Sequence, residues 1–214
     1  MYNMLIDLLP TTIVVGGKEY PIKSDFRTSM LFEILMLDED IEEKEKGDIA
    51  VKLYFEDIRF INDENAREVM EKILWFYTCG KSESEDECVE RQEDEEESVE
   101  NYQEERIYDF DIDDIYIYTA FLQQYGIDLQ DIEYMHWWKF RAMFNSLNED
   151  CKFSKILSYR SIDLSEIEDK KQREFYSKMK EVYKIHTKAS REEQKKQELI
   201  KEMLLKGENP QDLL

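Results

Sequence analysis

The sequence predicts a mainly α protein. It should comprise a helical domain of about six to seven helices, a short N-terminal β-hairpin, an acidic disordered linker and a C-terminal amphipathic helical tail. Three observations predict this. Apolar residues recur at helical spacing through most of the chain, and several of these runs end in a glycine. One short β-branched run sits beside a Gly-Gly pair. The charge falls in blocks of opposite sign.

The hairpin is expected over Thr12 to Ile22. Ile13, Val14 and Val15 favour a strand, Gly16-Gly17 supplies positive φ at a two-residue turn, and Tyr20 and Ile22 alternate afterwards. Pro21 confines the return strand to an edge. Ser24 or Asp25 should cap a first helix whose apolar side is Phe26, Met30, Ile34 and Leu37. A second helix is expected from about Glu42 to Phe55, weakened by Gly47 by about 1 kcal/mol relative to alanine. The third has the clearest period, through Ala66, Val69, Met70, Ile73, Leu74 and Tyr77, with Gly80 where a stop belongs.

Residues 82–105 carry 13 Asp or Glu against one Arg. Such a run has too little apolar surface to offset the entropy of ordering it, so a self-repelling linker is expected. Beyond it, Asp111 or Asp113 should open a helix that ends at Gly126. The pattern then predicts a longer helix starting near Asp131, with Ile132, Met135, Trp138 and Ala142 on one stripe and Tyr134, Trp137, Arg141 and Phe144 widening it. A short helix carrying Phe153, Ile156 and Leu157 follows. Asp163 with Glu166, and Ile162 with Ile167, form a capping-box variant and a staple that predict a long helix with Phe175, Met179, Val182 and His186 along one side. Residues 169–206 reverse the charge, with 12 Lys or Arg against seven acids. The organisation expected is therefore hairpin and helices over 1–80, the linker as an insert over 81–106, an aromatic-rich core over 107–187 and the tail over 188–214.

With 42% hydrophobic and 13% aromatic residues among 214, the chain can bury one good core despite 37% charge. No apolar run is long enough for a membrane span, and the N-terminus lacks a signal-peptide pattern. A net charge of −22 repels nucleic acid and favours protein partners with basic faces. Cys79, Cys88 and Cys151 are scattered, which fits a reducing compartment; with His136 and His186 they lack the spacing of a zinc site. Asp111, Asp113 and Asp114 are explained by the positive end of a helix dipole before any metal or acid–base role is needed. There is no nucleophile elbow, phosphate loop or dinucleotide glycine motif. The chain is therefore expected to be no enzyme and to bind no cofactor, metal, nucleic acid or membrane.

Two groups are candidates for binding a partner. Trp137, Trp138, Phe140, Arg141 and Phe144 have the composition of a hot spot, although aromatics at helical spacing belong more often to a core. Leu199, Ile200, Met203 and Leu204 form the apolar group of the tail. The basic helix before it, with Lys170, Lys171, Arg173, Lys178, Lys180, Lys184 and Lys188 beside an apolar stripe, fits docking to a partner or to the acidic domain.

Long and compositionally unusual motifs also carry a resemblance. LIDLLPTTIVVGGKEYPIKSDFR, LWFYTCGK, YDF, IYIYTAFLQQYGIDL and HWWKFRAMFNSL followed by EDCKFSKILSYRSIDL resemble the gene-product-fifteen family of siphophages and their prophages. The resemblance covers residues 5–80 and 107–185, and leaves out the acidic insert and the last 25 or so residues. It implies a product of the tail module, encoded between the major tail protein and the tape-measure protein. That is the place of tail assembly chaperones, which coat the tape-measure protein and help recruit tail-tube subunits. The implied partners are the tape-measure protein, the major tail protein and an upstream assembly chaperone. The implied location is the bacterial cytoplasm, with the protein absent from the finished virion. A minor tail or head–tail joining component is the alternative. An acidic decoy for a host DNA-binding protein is a more distant one. The resemblance transfers no catalytic residue.

Overall fold

The computed structural model describes residues 2–81 and 106–186. The expected linker at 82–105 and the tail beyond 186 lie outside the described residues, apart from the flanking Lys81 and Arg106. Among the described residues the protein is mainly α, with seven α-helices and one two-stranded antiparallel hairpin. They fall into two compact units, one of residues 2–81 and 109–155, the other of residues 106–108 and 156–186.

In the first unit, β1 (Thr12–Val15) pairs with β2 (Lys18–Pro21), with Val15 opposite Lys18 across the turn. Gly16 and Gly17 have φ of 55° and 76°, the positive values that a tight turn of this twist demands. Ile13 and Val15 point inward and are buried, while Val14 faces outward, as a period of two requires.

Helix α1 (Phe26–Leu37) begins at Asp25, whose carboxylate accepts from the Arg27 N–H at 3.1 Å. Its inner face departs from the apolar stripe expected. Leu37 is exposed, whereas Ser29 and Glu33 are buried with Phe26, Phe32 and Leu35. The polar pair is accommodated because Ser29 Oγ meets Tyr54 OH at 2.9 Å and Tyr77 OH donates to Glu33 Oε2. Apolar periodicity cannot register such pairs, since their partners lie in other helices.

Helix α2 (Glu43–Tyr54) buries Ala50 and Tyr54, and α3 (Ala66–Tyr77) buries Val69, Ile73 and Phe76. The α3 terminus is a Schellman arrangement. Gly80 N–H donates to Trp75 O at 2.9 Å and Cys79 N–H to Phe76 O at 3.2 Å. Cys79 takes the first left-handed position, at φ 59°, and Gly80 the one after it, at φ 77°. Helix α4 (Asp114–Tyr125) follows Asp113 and stops at the left-handed Gly126, as its glycine signal predicts.

Helix α5 (Trp137–Asn145) is shorter than its periodicity suggests. The sequence predicts a start near Asp131, but the structure begins the helix after His136. The reason is tertiary. Residues before the helix bond to the entry of α1 instead: Phe26 N–H donates to Met135 O at 2.9 Å and Trp137 N–H to Ser24 O at 2.8 Å, across an antiparallel bridge of Asp25 with His136. Arg27 adds bonds to the carbonyls of Leu129 and Ile132 at 2.8 and 2.9 Å. These long-range bonds outweigh local helix propensity. The expected stripe is broken accordingly, and Ala142 is exposed.

Helix α6 (Lys152–Ser161) starts in the first unit and runs on into the second. There a single 3-10 turn, Leu164–Glu166, precedes α7 (Lys170–Val182). The long helix expected from Asp163 is thus divided. Among the described residues Asp163 accepts from Ser165 alone, at 2.8 Å from its N–H and 2.7 Å from its hydroxyl. Asp169 makes the second start, accepting from Gln172 N–H at 2.8 Å, and Arg173 bonds to Ile167 O and holds the break between them. A capping signal marks where a helix begins; it says nothing about how far it continues.

Candidate functional site

The aromatic signature forms the middle of the first unit. Trp137 and Trp138 are fully buried, and their neighbouring positions send the two indoles to neighbouring carbonyls of one helix end. Trp137 Nε1 donates to Tyr77 O at 2.8 Å and Trp138 Nε1 to Phe76 O at 2.7 Å. The last carbonyls of a helix have no partner within it, and a buried indole N–H must find an acceptor, so each group satisfies the other. Phe140 sits at the centre of a ring stack, with centroids 5.0 Å from Phe26, 4.8 Å from Phe121 and 5.8 Å from Trp137. Phe144 extends the stack from Phe140 and meets Phe153 at a tilt, with centroids 5.3 Å apart. Of the five residues with hot-spot composition, only Arg141 reaches the surface, half-buried, with its guanidinium 5.4 Å from the Trp137 ring. Trp137, Trp138, Phe140 and Phe144 present no ring to solvent; their rings hold together α1, α3, α4 and α5.

His136 ties this core to the N-terminal segment. Its Nδ1 accepts from Trp138 N–H at 3.1 Å, capping α5, so the proton is on Nε2, which donates to Pro10 O at 2.9 Å. Burial holds the imidazole pKa below its ordinary value, with the Pro10 carbonyl opposing the shift. Above about pH 6.5 the ring is neutral both folded and unfolded; below it the unfolded ring takes up a proton first, so stability falls as pH drops towards the folded value. Urea midpoints at pH 7.5 and 5.5 are expected to fall more for the wild type than for His136→Asn, which keeps an acceptor for the cap but cannot titrate. Equal falls would show that His136 contributes nothing to the acid response.

Between this tie and Tyr2, whose ring meets Trp138 edge-on at 4.7 Å, the chain leaves the core. Residues Asn3 to Asp7 close a turn on themselves: Asp7 N–H donates to Asn3 O at 2.8 Å and Leu5 N–H to Asn3 Oδ1 at 2.9 Å. That turn, with the residue after it, leaves Leu5, Ile6 and Leu8 exposed at 95%, 80% and 93%. By sequence alone this stretch is expected to add strand or helix surface to the domain; the structure makes it neither, because its backbone bonds close within the turn.

In the second unit, α7 buries no residue at all. Tyr159 of α6 stacks on Tyr183 at 5.9 Å and meets Phe175 edge-on at 6.4 Å. Arg160 bonds to Tyr183 O at 2.5 Å and to Ile107 O at 3.0 Å. Phe175 and Val182 nevertheless stay 49% and 59% exposed. The helix carries five Lys or Arg against two Glu in a chain whose net charge is −22. Leu199, Ile200, Met203 and Leu204, the other partner-binding candidates, lie outside the described residues.

A family model described as bacteriophage Gp15 protein matches residues 5–185. The chain belongs to the bacteriophage Gp15 family. No curated protein and no solved structure matches it. The Gp15 match takes in the apolar turn from Leu5 onward, the tryptophan pair and the whole of α7. It ends before the tail group at Leu199 to Leu204. Among the described residues, no group of three His, Cys, Asp or Glu side chains is placed to hold a metal ion. Of the acids expected at the start of α4, Asp113 does not cap it: its Oδ2 accepts from Asp109 N–H at 3.0 Å, ahead of the helix, while Asp114 in the first turn accepts through Oδ1 from Ile115 N–H at 2.6 Å. No helix of the described residues is long and apolar enough to cross a membrane.

Proposed function

We propose that this Gp15-family chain is a phage tail assembly protein, a chaperone that binds the tape-measure protein and assists tail-tube assembly. Family membership supports the phage setting. The observation that carries the finer reading is the N-terminal turn, where Leu5, Ile6 and Leu8 stand at 80–95% exposure on an acidic chain. Apolar side chains displayed together in this way mark a contact with another apolar surface. Surrounding acidic charge keeps the complex soluble and its constituents apart from other complexes. A chaperone for long apolar helices needs both properties and makes or breaks no covalent bond. It acts in the cytoplasm of the infected or lysogenic bacterium, alongside the major tail protein and an upstream assembly chaperone, and leaves before the virion is complete.

Co-expression with the tape-measure protein of the same phage tests this. The soluble yield of that protein is expected to rise severalfold, the two should co-purify, and Leu5→Asp with Leu8→Asp should remove the effect. Unchanged solubility with no complex overturns the reading. Stoichiometric presence of the chain in purified particles would favour a structural tail or head–tail joining component instead.

A further inference from the structure

Helix α7 displays a second binding surface of different chemistry. Phe175, Met179 and Val182 follow one another at four and then three residues, on one stripe of the helix. On one side of that stripe stand Tyr176 and Tyr183, half-buried, with Tyr159 ring centroids 6.2 and 5.9 Å away. On the other stand Lys171 and Lys178, seven residues apart, each four residues before Phe175 or Val182. Both lysines are exposed and form no ion pair among the described residues. The tyrosine edge is therefore covered and the lysine edge open. Beyond the lysines an open groove of about 630 Å³ lies between α7 and Leu164, with Ser177, Glu181 and Val182 along it.

We propose that this face binds an amphipathic helix of a partner protein, one whose apolar stripe is bordered by acidic residues spaced to meet Lys171 and Lys178. The apolar spacing is that of a two-helix seam, and charges bordering such a seam select the partner. Charge also argues against a second copy as the occupant. Two α7 helices packed antiparallel would set their lysine edges against each other, and packed in parallel would set a lysine edge against a tyrosine edge that is already covered. The stripe makes nucleic acid a poor fit, because Glu174 and Glu181 form a parallel acidic line next to the lysines. The α7 face would bind its helix whatever the N-terminal turn binds.

The test uses the full chain and two labelled helical peptides that share a leucine seam, one bordered by Glu and the other by Lys, titrated by fluorescence anisotropy. The Glu-bordered peptide is expected to bind on the order of tenfold more tightly. Phe175→Asp with Val182→Asp should abolish that binding. Lys171→Glu with Lys178→Glu, two exposed positions, should reverse the preference at unchanged helix content. Equal affinity for the two peptides, no binding of either, or a preference that survives the charge reversal overturns the proposal. So does a concentration-dependent dimer that Phe175→Asp with Val182→Asp dissociates, which would make a second copy the occupant. Faster hydrogen exchange over residues 187–214 in that same variant would assign the face to the chain's own tail, and would overturn it equally.

Discussion

Trp138→Ala is expected to cost about 3–5 kcal/mol, a large loss for a single side chain. The indole is fully buried, lies 5.5 Å from the Trp75 ring and 4.7 Å from Tyr2, and donates to the α3 carboxyl end. Removing it opens a cavity where the N-terminal segment, α3 and α5 meet. A domain of ordinary stability has only about 5–15 kcal/mol in total, so the variant should populate unfolded chains at moderate temperature. Urea denaturation checks this, with Leu74→Ala as control. Leu74 lies on the same α3 but is 46% exposed, and a surface change of this kind costs about 0.5 kcal/mol or less. Trp138→Phe separates the hydrogen bond from the ring and should fall between the two. Equal midpoints for Trp138→Ala and Leu74→Ala would refute the placement of Trp138 in the core.

Gly80→Ala is expected to cost about 2–5 kcal/mol, through two effects of similar size. At φ 77° an alanine pays about 1–2 kcal/mol for left-handed backbone. A Cβ at this position would also stand 2.9 Å from Cη2 of Trp138, so a ring locked by its neighbours must shift, at a cost of about 1–3 kcal/mol. Gly17→Ala isolates the first effect, because Gly17 has φ 76° and nothing within 4 Å of the added carbon. It should cost about 1–2 kcal/mol and no more. In a Trp138→Phe background the ring no longer reaches Gly80, so Gly80→Ala should cost only as much as Gly17→Ala does; residues in contact are where additivity fails. An additive result would show that the close approach has no energetic consequence.

These two variants also show where sequence patterns reach their limit. The glycine at 80 is legible as a helix stop, and its neighbourhood is not. Cys79 occupies the first left-handed position, and Gly80 is required for a second reason, a tryptophan 58 residues further along that lies against it. Likewise the aromatic stretch from His136 to Phe144 stands out by composition, yet composition cannot separate a surface anchor from a core. Solvent exposure separates them, and it places the four rings inside. The N-terminal stretch shows the converse: its composition suggests strand or helix surface, whereas the chain closes between Asn3 and Asp7 and leaves Leu5, Ile6 and Leu8 exposed.

The chain's own residue order determined what local chemistry can encode. That comprises the mainly helical class, the Gly-Gly hairpin, the Asp25 cap, the stops at Gly80 and Gly126, and family membership through motifs long enough to be specific. Tertiary structure alone decided where α5 begins and that Ser29 and Glu33 belong inside. The physical reason is range. Propensity, capping and turn geometry act over about four residues, whereas hydrogen bonds such as Trp137 to Tyr77 and Phe26 to Met135 join segments 60 and 109 positions apart, and they prevail where the two disagree.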